Sequence, residues 1–281
     1  MILLADSGST KTEWALINKG VSSKFHSAGM NPYFASDDDI RKILNDVKNW
    51  IGEGHVSKVA FYGSGCNSSE KGNEMQKLFA EKFSDSEIEI HSDLIGAAVS
   101  LFGNKNGIAV ILGTGANSGY FDGKEITFKT ESLGFVLGDE GSGAYLGKEL
   151  IRELLYNNLS KEIQDDFTSE YKIGKVEILE NIYKKTYANR FLAGFTVFLK
   201  KHETNPDIKK IISDSFESLV KNHLIKYPQK ENCEFGFVGS IAWHFKNELI
   251  EVCKKHNLKI QTIIGKPMDN LIKYYSKSTM I

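Results

Sequence analysis

The sequence predicts an α/β protein built from two similar halves. Three observations carry this. Strand-type apolar runs alternate with helical periodicity up to Leu112, glycine clusters sit where those runs end, and a second hairpin-type pattern begins after Gly115.

Each element follows from local pattern. Ile2–Ala5 is a short apolar run that stops at Asp6-Ser7-Gly8-Ser9-Thr10-Lys11-Thr12, and Glu13–Ile17 resumes it, which predicts a hairpin. A third strand is expected near Ser23–Ser27. Between Asp37 and Ile51, Ile40, Ile43, Leu44, Val47, Trp50 and Ile51 share one helical face, with Ser36 or Asp37 as N-cap. Strand Lys58–Tyr62 ends in Gly63-Ser64-Gly65 and precedes a helix over Asn73–Phe83. Strand Glu87–His91 ends at Asp93, before a helix over Leu94–Phe102. Gly107–Leu112 is a buried-type strand ending in Gly113-Thr114-Gly115.

The second half starts with Asn117–Phe121 and Glu125–Lys129, joined by Asp122-Gly123, a type I′ turn signal. Leu133–Leu137 leads into the glycine-rich turn Gly138–Gly143 and a long helix with Leu146, Leu150, Ile151, Leu154 and Leu155 on one face. The charge-rich stretch 160–230 reads as mostly helical. Glu234–Val238 is a strand feeding Gly239-Ser240 and a helix, Lys259–Ile264 is a late strand, and a final helix spans Pro267–Tyr275.

Composition limits the function classes. Across 281 residues, Lys+Arg 35 against Asp+Glu 36 leaves a net charge of −1, so no basic field invites nucleic acid or anionic lipid. Three distant cysteines (Cys66, Cys233, Cys253) encode neither a disulfide framework nor a CxxC knuckle, which suits a reducing compartment. No apolar run approaches the roughly 20 residues that span a bilayer, and the N-terminus lacks a basic leader pattern. A cytoplasmic protein is therefore expected, with neither nucleic acid nor membrane as partner.

The loops suggest the chemistry. Gly, Ser and Thr after a strand can turn several N–H groups toward one phosphate. Asp6–Thr12 has this make-up, with hydroxyls at Ser7, Ser9, Thr10 and Thr12 as further donors. Gly113-Thr114-Gly115-Ala116-Asn117 is a second such loop and Gly239-Ser240 a weaker third. The Walker A and G-x-G-x-x-G patterns are both missing, as are a G-x-S-x-G elbow and an H-E-x-x-H pair. Asp6 ends a strand inside the first loop, where a carboxylate can hold Mg2+ through water. Asp93 stands at a helix start, where capping is the competing reading. Asp139 and Glu140 lie among glycines before the long helix, with the same ambiguity.

Taken in order, Asp6–Thr12, Asp93, Gly113–Asn117, Gly138-Asp139-Glu140-Gly141-Ser142 and Gly239-Ser240 resemble the sugar kinase/Hsp70/actin superfamily. Within it, the run Leu133–Gly143 after a GTGAN loop is similar to the branch holding N-acetylglucosamine kinases and the activator ATPases of the benzoyl-CoA reductase type. The resemblance implies two ribonuclease H-like, actin-like ATPase domains with a cleft between them. Their expected spans are 1–108 and 109–267, the second with helical insertions, and the last helix (about 268–281) packs back on the first.

It also implies ATP and Mg2+. Asp6 would organise the metal, and Gly8, Ser9, Thr10, Lys11, Thr12, Gly113, Thr114 and Gly115 would bind phosphates. Gly239 and Ser240 would fall at the adenosine. Asn31, Ala116, Asn117, Asp139 and Gly143 would line the sugar, together with Asp93 as general base. The implied reaction moves the γ-phosphate of ATP to the 6-hydroxyl of N-acetylglucosamine or a related amino sugar. A homodimer is the family-level expectation. An activator-type ATPase and a non-catalytic sugar sensor are the alternatives, the first needing thiolates placed for an iron–sulfur cluster.

Overall fold

The computed structural model describes residues 1–8 and 10–278; Ser9 and residues 279–281, including the end of the expected last helix, lie outside the described residues. The chain divides into two compact units. One comprises 1–106, 121–126 and 266 onward; the other comprises 107–120 and 127–265.

In the first unit, β1 (Ile2–Ser7), β2 (Lys11–Asn18) and β3 (Val21–Ala28) form an antiparallel meander. Helix α1 (Asp37–Ile51) leads to β4 (Lys58–Gly63), α2 (Ser69–Lys82) to β5 (Glu87–Ser92), and α3 (Asp93–Phe102) closes the run. The sheet order is β3-β2-β1-β4-β5, with β4 parallel to β1 and β5 parallel to β4. Strand alternation sends Leu3, Ala5, Val59 and Phe61 into one core with Ile40, Leu44 and Val47 of α1 and Met75, Leu78 and Phe79 of α2. Ser36 caps α1 in a reciprocal box with Asp39.

The second unit repeats the plan. Its sheet contains β6 (Gly107–Leu112), β7 (Ala116–Phe121) and β8 (Ile126–Phe128). Six helices follow: α4 (Gly134–Leu137), α5 (Gly143–Leu155), α6 (Lys161–Tyr171), α7 (Lys175–Tyr183), α8 (Ala188–Gly194) and α9 (Thr196–Lys201). Then come α10 (Pro206–Asn222), β9 (Phe235–Val238), α11 (Ser240–His244), α12 (Lys246–Lys255) and β10 (Ile260–Ile264). The order β8-β7-β6-β9-β10 is the first sheet's order strand for strand, again with the last two parallel to the first. The final helix, α13 (Met268–Ser278), packs on α3, β1 and β2 of the first unit, and its Tyr275 hydroxyl meets that of Tyr62 on β4 at 2.7 Å.

Two local expectations change. Helix α2 begins at Ser69 rather than Asn73, because the Ser68 side chain accepts from the Lys71 N–H and pays the nucleation of an earlier turn. The Asp122-Gly123 turn is not type I′: Gly123 has φ 107° but Asp122 is not at positive φ. Its carboxylate instead accepts from the Lys124 and Glu125 N–H groups, giving a longer loop. The run before the glycine-rich turn forms the short helix α4, with Leu133 at its N-cap, and Leu133, Val136 and Leu137 are exposed.

Helix α5 crosses α8 closely at Gly147, where an added Cβ would lie 1.9 Å from the Leu192 carbonyl oxygen. The obstacle is backbone, so relief needs the helices to part. Gly147→Ala is expected to cost about 3 kcal/mol, the upper end of overpacking penalties, and to lower the apparent Tm by several degrees in calorimetry. A variant as stable as the parent would show that the α5–α8 crossing is loose. Among the described residues, no helix is long and apolar enough to cross a membrane.

Candidate functional site

In the first unit, the register sets Ser7, Gly63 and Ser92 side by side at the C-terminal ends of β1, β4 and β5. The loops that follow therefore share one edge of the sheet, with β1 and β5 about 10 Å apart. After β1 the chain turns through Gly8, whose N–H donates to the Lys11 carbonyl at 3.1 Å. Gly8, Thr10 and Lys11 are exposed, whereas Thr12 is fully buried. Thr12 Oγ1 donates to the Ala28 carbonyl at 2.9 Å and lies 2.8 Å from Ser7 Oγ, which itself accepts from Met30 N–H. The hydroxyls of Ser7 and Thr12, expected among the phosphate donors, instead brace the loop from behind. Ser9 lies outside the described residues.

Asn31 is buried. Its Nδ2 donates to Ser64 Oγ at 3.1 Å and its Oδ1 accepts from Tyr33 N–H, so it ties the segment after β3 to the Gly63–Gly65 loop. That tie was invisible to sequence reasoning, since neither partner has a local signature.

The capping ambiguity at Asp93 resolves through its neighbour. Ser92 is the N-cap of α3, and Asp93 is its first helical residue. Asp93 Oδ1 accepts from Leu94 N–H at 2.8 Å. Burial raises the Asp93 pKa, while hydrogen bonds from the Leu94 and Asp93 N–H groups pull it back. The result is a carboxylate more basic than one in water, at the positive end of a helix that favours its ionised form.

Asp6 is pushed up to about 7, first by burial and then by the charges of Asp93 and Glu13, against smaller opposing effects from Lys11 and Lys266. Two further acids close to a half-buried carboxyl make a region that a divalent cation would relieve. Among the described residues, no group of three or more His, Cys, Asp or Glu forms a metal cage.

The second unit gathers three glycine-rich segments. The Gly113 and Thr114 carbonyls accept from the first N–H groups of α5, Gly143 at 2.8 Å and Ala144 at 3.0 Å. These bonds satisfy the helix start and fix the 113–115 turn upon it. Gly143, expected beside the sugar, is accordingly buried behind the turn. Gly239 has φ 127°, and a Cβ there would stand 2.2 Å from the Leu112 carbonyl oxygen, so only glycine lets β9 end against β6. Ser240 is exposed at the start of α11.

Asp139 is half-buried at φ 58°, with its carboxylate accepting from Ala116 N–H and, at 3.5 Å, from Ser132 Oγ. Burial raises its pKa against those bonds. A small pocket beside it is lined by Asn117, Ser118, Thr130, Ser132, Asp139 and His223. Of these, Thr130 and His223 carry no sequence signal; their partners lie far along the chain.

Among solved structures, a protein of Porphyromonas gingivalis provisionally described as an N-acetylglucosamine kinase is 36% identical over 99% of this chain and 100% of its own, with a TM-score of 0.94. The chain belongs to the N-acetylglucosamine kinase family of the sugar kinase/Hsp70/actin superfamily. A similarly described protein of Chromobacterium violaceum shares the fold at 13% identity, covering 97% of this chain and 98% of that one, with a TM-score of 0.73. MreB5 of Spiroplasma citri, bound to ADP, does so at 10% identity, 99% and 95% coverage and a TM-score of 0.54. No family model and no curated sequence matches the chain. The two five-stranded mixed sheets are thus those of an actin-like ATPase fold.

Proposed function

We propose that this member of the N-acetylglucosamine kinase family transfers the γ-phosphoryl group of ATP to the 6-hydroxyl of N-acetylglucosamine or a related amino sugar, as a cytoplasmic homodimeric enzyme. The full-length likeness to the Porphyromonas gingivalis protein carries this reading. The chain's own residues supply a consistent division of labour.

Exposed Thr10 and Lys11, with Thr114 and Gly115, offer donors to the triphosphate; Gly8 and Gly113, whose N–H groups bond within their own turns, leave it room, and Gly239 and Ser240 border the nucleoside. Asp139, Asn117 and Ala116 orient the sugar, and Asn31 braces the Gly63–Gly65 loop of its own unit. Asp93 accepts the proton of the attacking hydroxyl, whose oxygen bonds to the γ-phosphorus as the β,γ-bridging oxygen leaves with ADP. Asp6 would hold Mg2+, which when bound neutralises charge on the phosphate oxygens.

A coupled assay of ADP release across free hexoses and hexosamines, with Mg2+ and with EDTA, tests the reading. Release that rises with an N-acylated or free amino sugar and stops with EDTA is expected. ADP release indifferent to every sugar would overturn it.

A further inference from the structure

A continuous run of side-chain hydrogen bonds crosses the second unit beside Asp139. The Tyr227 hydroxyl, fully buried, donates to Ser118 Oγ at 2.8 Å. Ser118 Oγ lies 3.2 Å from Thr130 Oγ1, and Thr130 Oγ1 lies 3.1 Å from His223 Nδ1. His223 Nε2 then meets Glu140 Oε2 at 3.0 Å, while Asn222 Nδ2 donates to Glu140 Oε1 at 2.9 Å.

Tyr227 takes the Thr130 N–H as acceptor and gives its own proton to Ser118. Ser118 and Thr130 each carry one proton and two lone pairs, so either can give or take in the bonds that lead on to His223. Burial raises the Glu140 pKa, but its bonds with His223 and Asn222 bring it below the ordinary value. Bonds linked in series in this way polarise one another.

Ser118, Thr130 and His223 of this run line the Asp139 pocket. Ser118 and Thr130 belong to the segments that carry Asn117 and Ser132, and Glu140 adjoins Asp139, which sits in the left-handed region unusual for a residue with a side chain. We infer that His223 is a positioning residue for sugar binding: as a hydrogen-bond bridge between Thr130 and Glu140 it holds Asp139 and Asn117 at the spacing that receives a sugar's vicinal hydroxyls. The inference rests on the kinase reading above.

His223→Gln and His223→Leu separate a bridge from mere packing. A glutamine amide carries a donor and an acceptor and can serve both Glu140 and Thr130; leucine fills similar space with neither. The expected result is a rise of roughly 10- to 100-fold in KM for the sugar with leucine, with KM for ATP within about threefold of wild type and glutamine recovering most of the loss. Glu140→Gln is expected to resemble leucine, because its NH2 group would oppose either His223 or Asn222. Leucine and glutamine variants with equal sugar KM would overturn the inference while leaving the kinase reading intact. A wild-type protein that neither binds nor phosphorylates any sugar would remove both.

Discussion

Asp93→Asn is expected to lower kcat by about 10²- to 10⁴-fold, the usual range for losing a general base, while the protein stays folded. Asparagine is isosteric and its Oδ1 still accepts from the Leu94 N–H, so the start of α3 keeps its local bond. The change also removes a charge that burial disfavours, so stability should hold or rise. Loss of activity would therefore not be loss of fold, and circular dichroism and calorimetry check this directly.

The pH dependence sharpens the test. A base works only when ionised, so wild-type kcat/KM should fall on the acid side as Asp93 takes up a proton. Burial places that fall at higher pH than an exposed aspartate would. The residual rate of Asp93→Asn should lack this acid limb. KM for ATP should change little, because no phosphate ligand is altered. An asparagine variant with near-parental kcat, or with the same acid limb, would assign the proton transfer to another group.

Much of this arrangement was legible in sequence for a physical reason. Strand ends followed by Gly, Ser and Thr are short-range patterns, and the 6–12, 113–115 and 239–240 loops each lie within one such pattern. The second hairpin after Gly115 announced the repeated sheet in the same way. What escaped depends on partners distant in sequence. His223 and Glu140 are 83 residues apart, and nothing in either neighbourhood marks a pair. The roles of Ser7 and Thr12 escaped for another reason: composition made both donors, but strand alternation turned their side chains inward. The Asp93 question turned on a single residue, since Ser92 and Asp93 are both good caps and only the helix start decides between them.

Asp6→Asn is expected to make the protein more stable and the enzyme far less active. The Asp6 pKa rises from 3.8 to about 7 on folding, so between those values the native form holds a proton that the unfolded chain has lost. Stability from this position is therefore fully present below about pH 4 and declines as pH rises toward 7, the reverse of a salt-bridged carboxylate. At about 1.4 kcal/mol per pH unit, the ionised group costs at most roughly 4 kcal/mol above neutrality. Asparagine escapes that cost. Its stability advantage in denaturant titrations should be near zero at pH 4, grow through pH 5 and 6, and level off by pH 8. Turnover should drop roughly 10²- to 10³-fold, the scale of losing one electrostatic stabiliser of the transition state. Mg2+ with nucleotide should narrow the stability gap, because a cation bound to wild-type Asp6 offsets the repulsion from Asp93 and Glu13. A half-buried acid kept beside two others, against its own folding free energy, is the trade-off expected of a functional carboxylate. An asparagine variant less stable at pH 8, or more stable by the same margin at every pH, would show that Asp6 is held by structure alone.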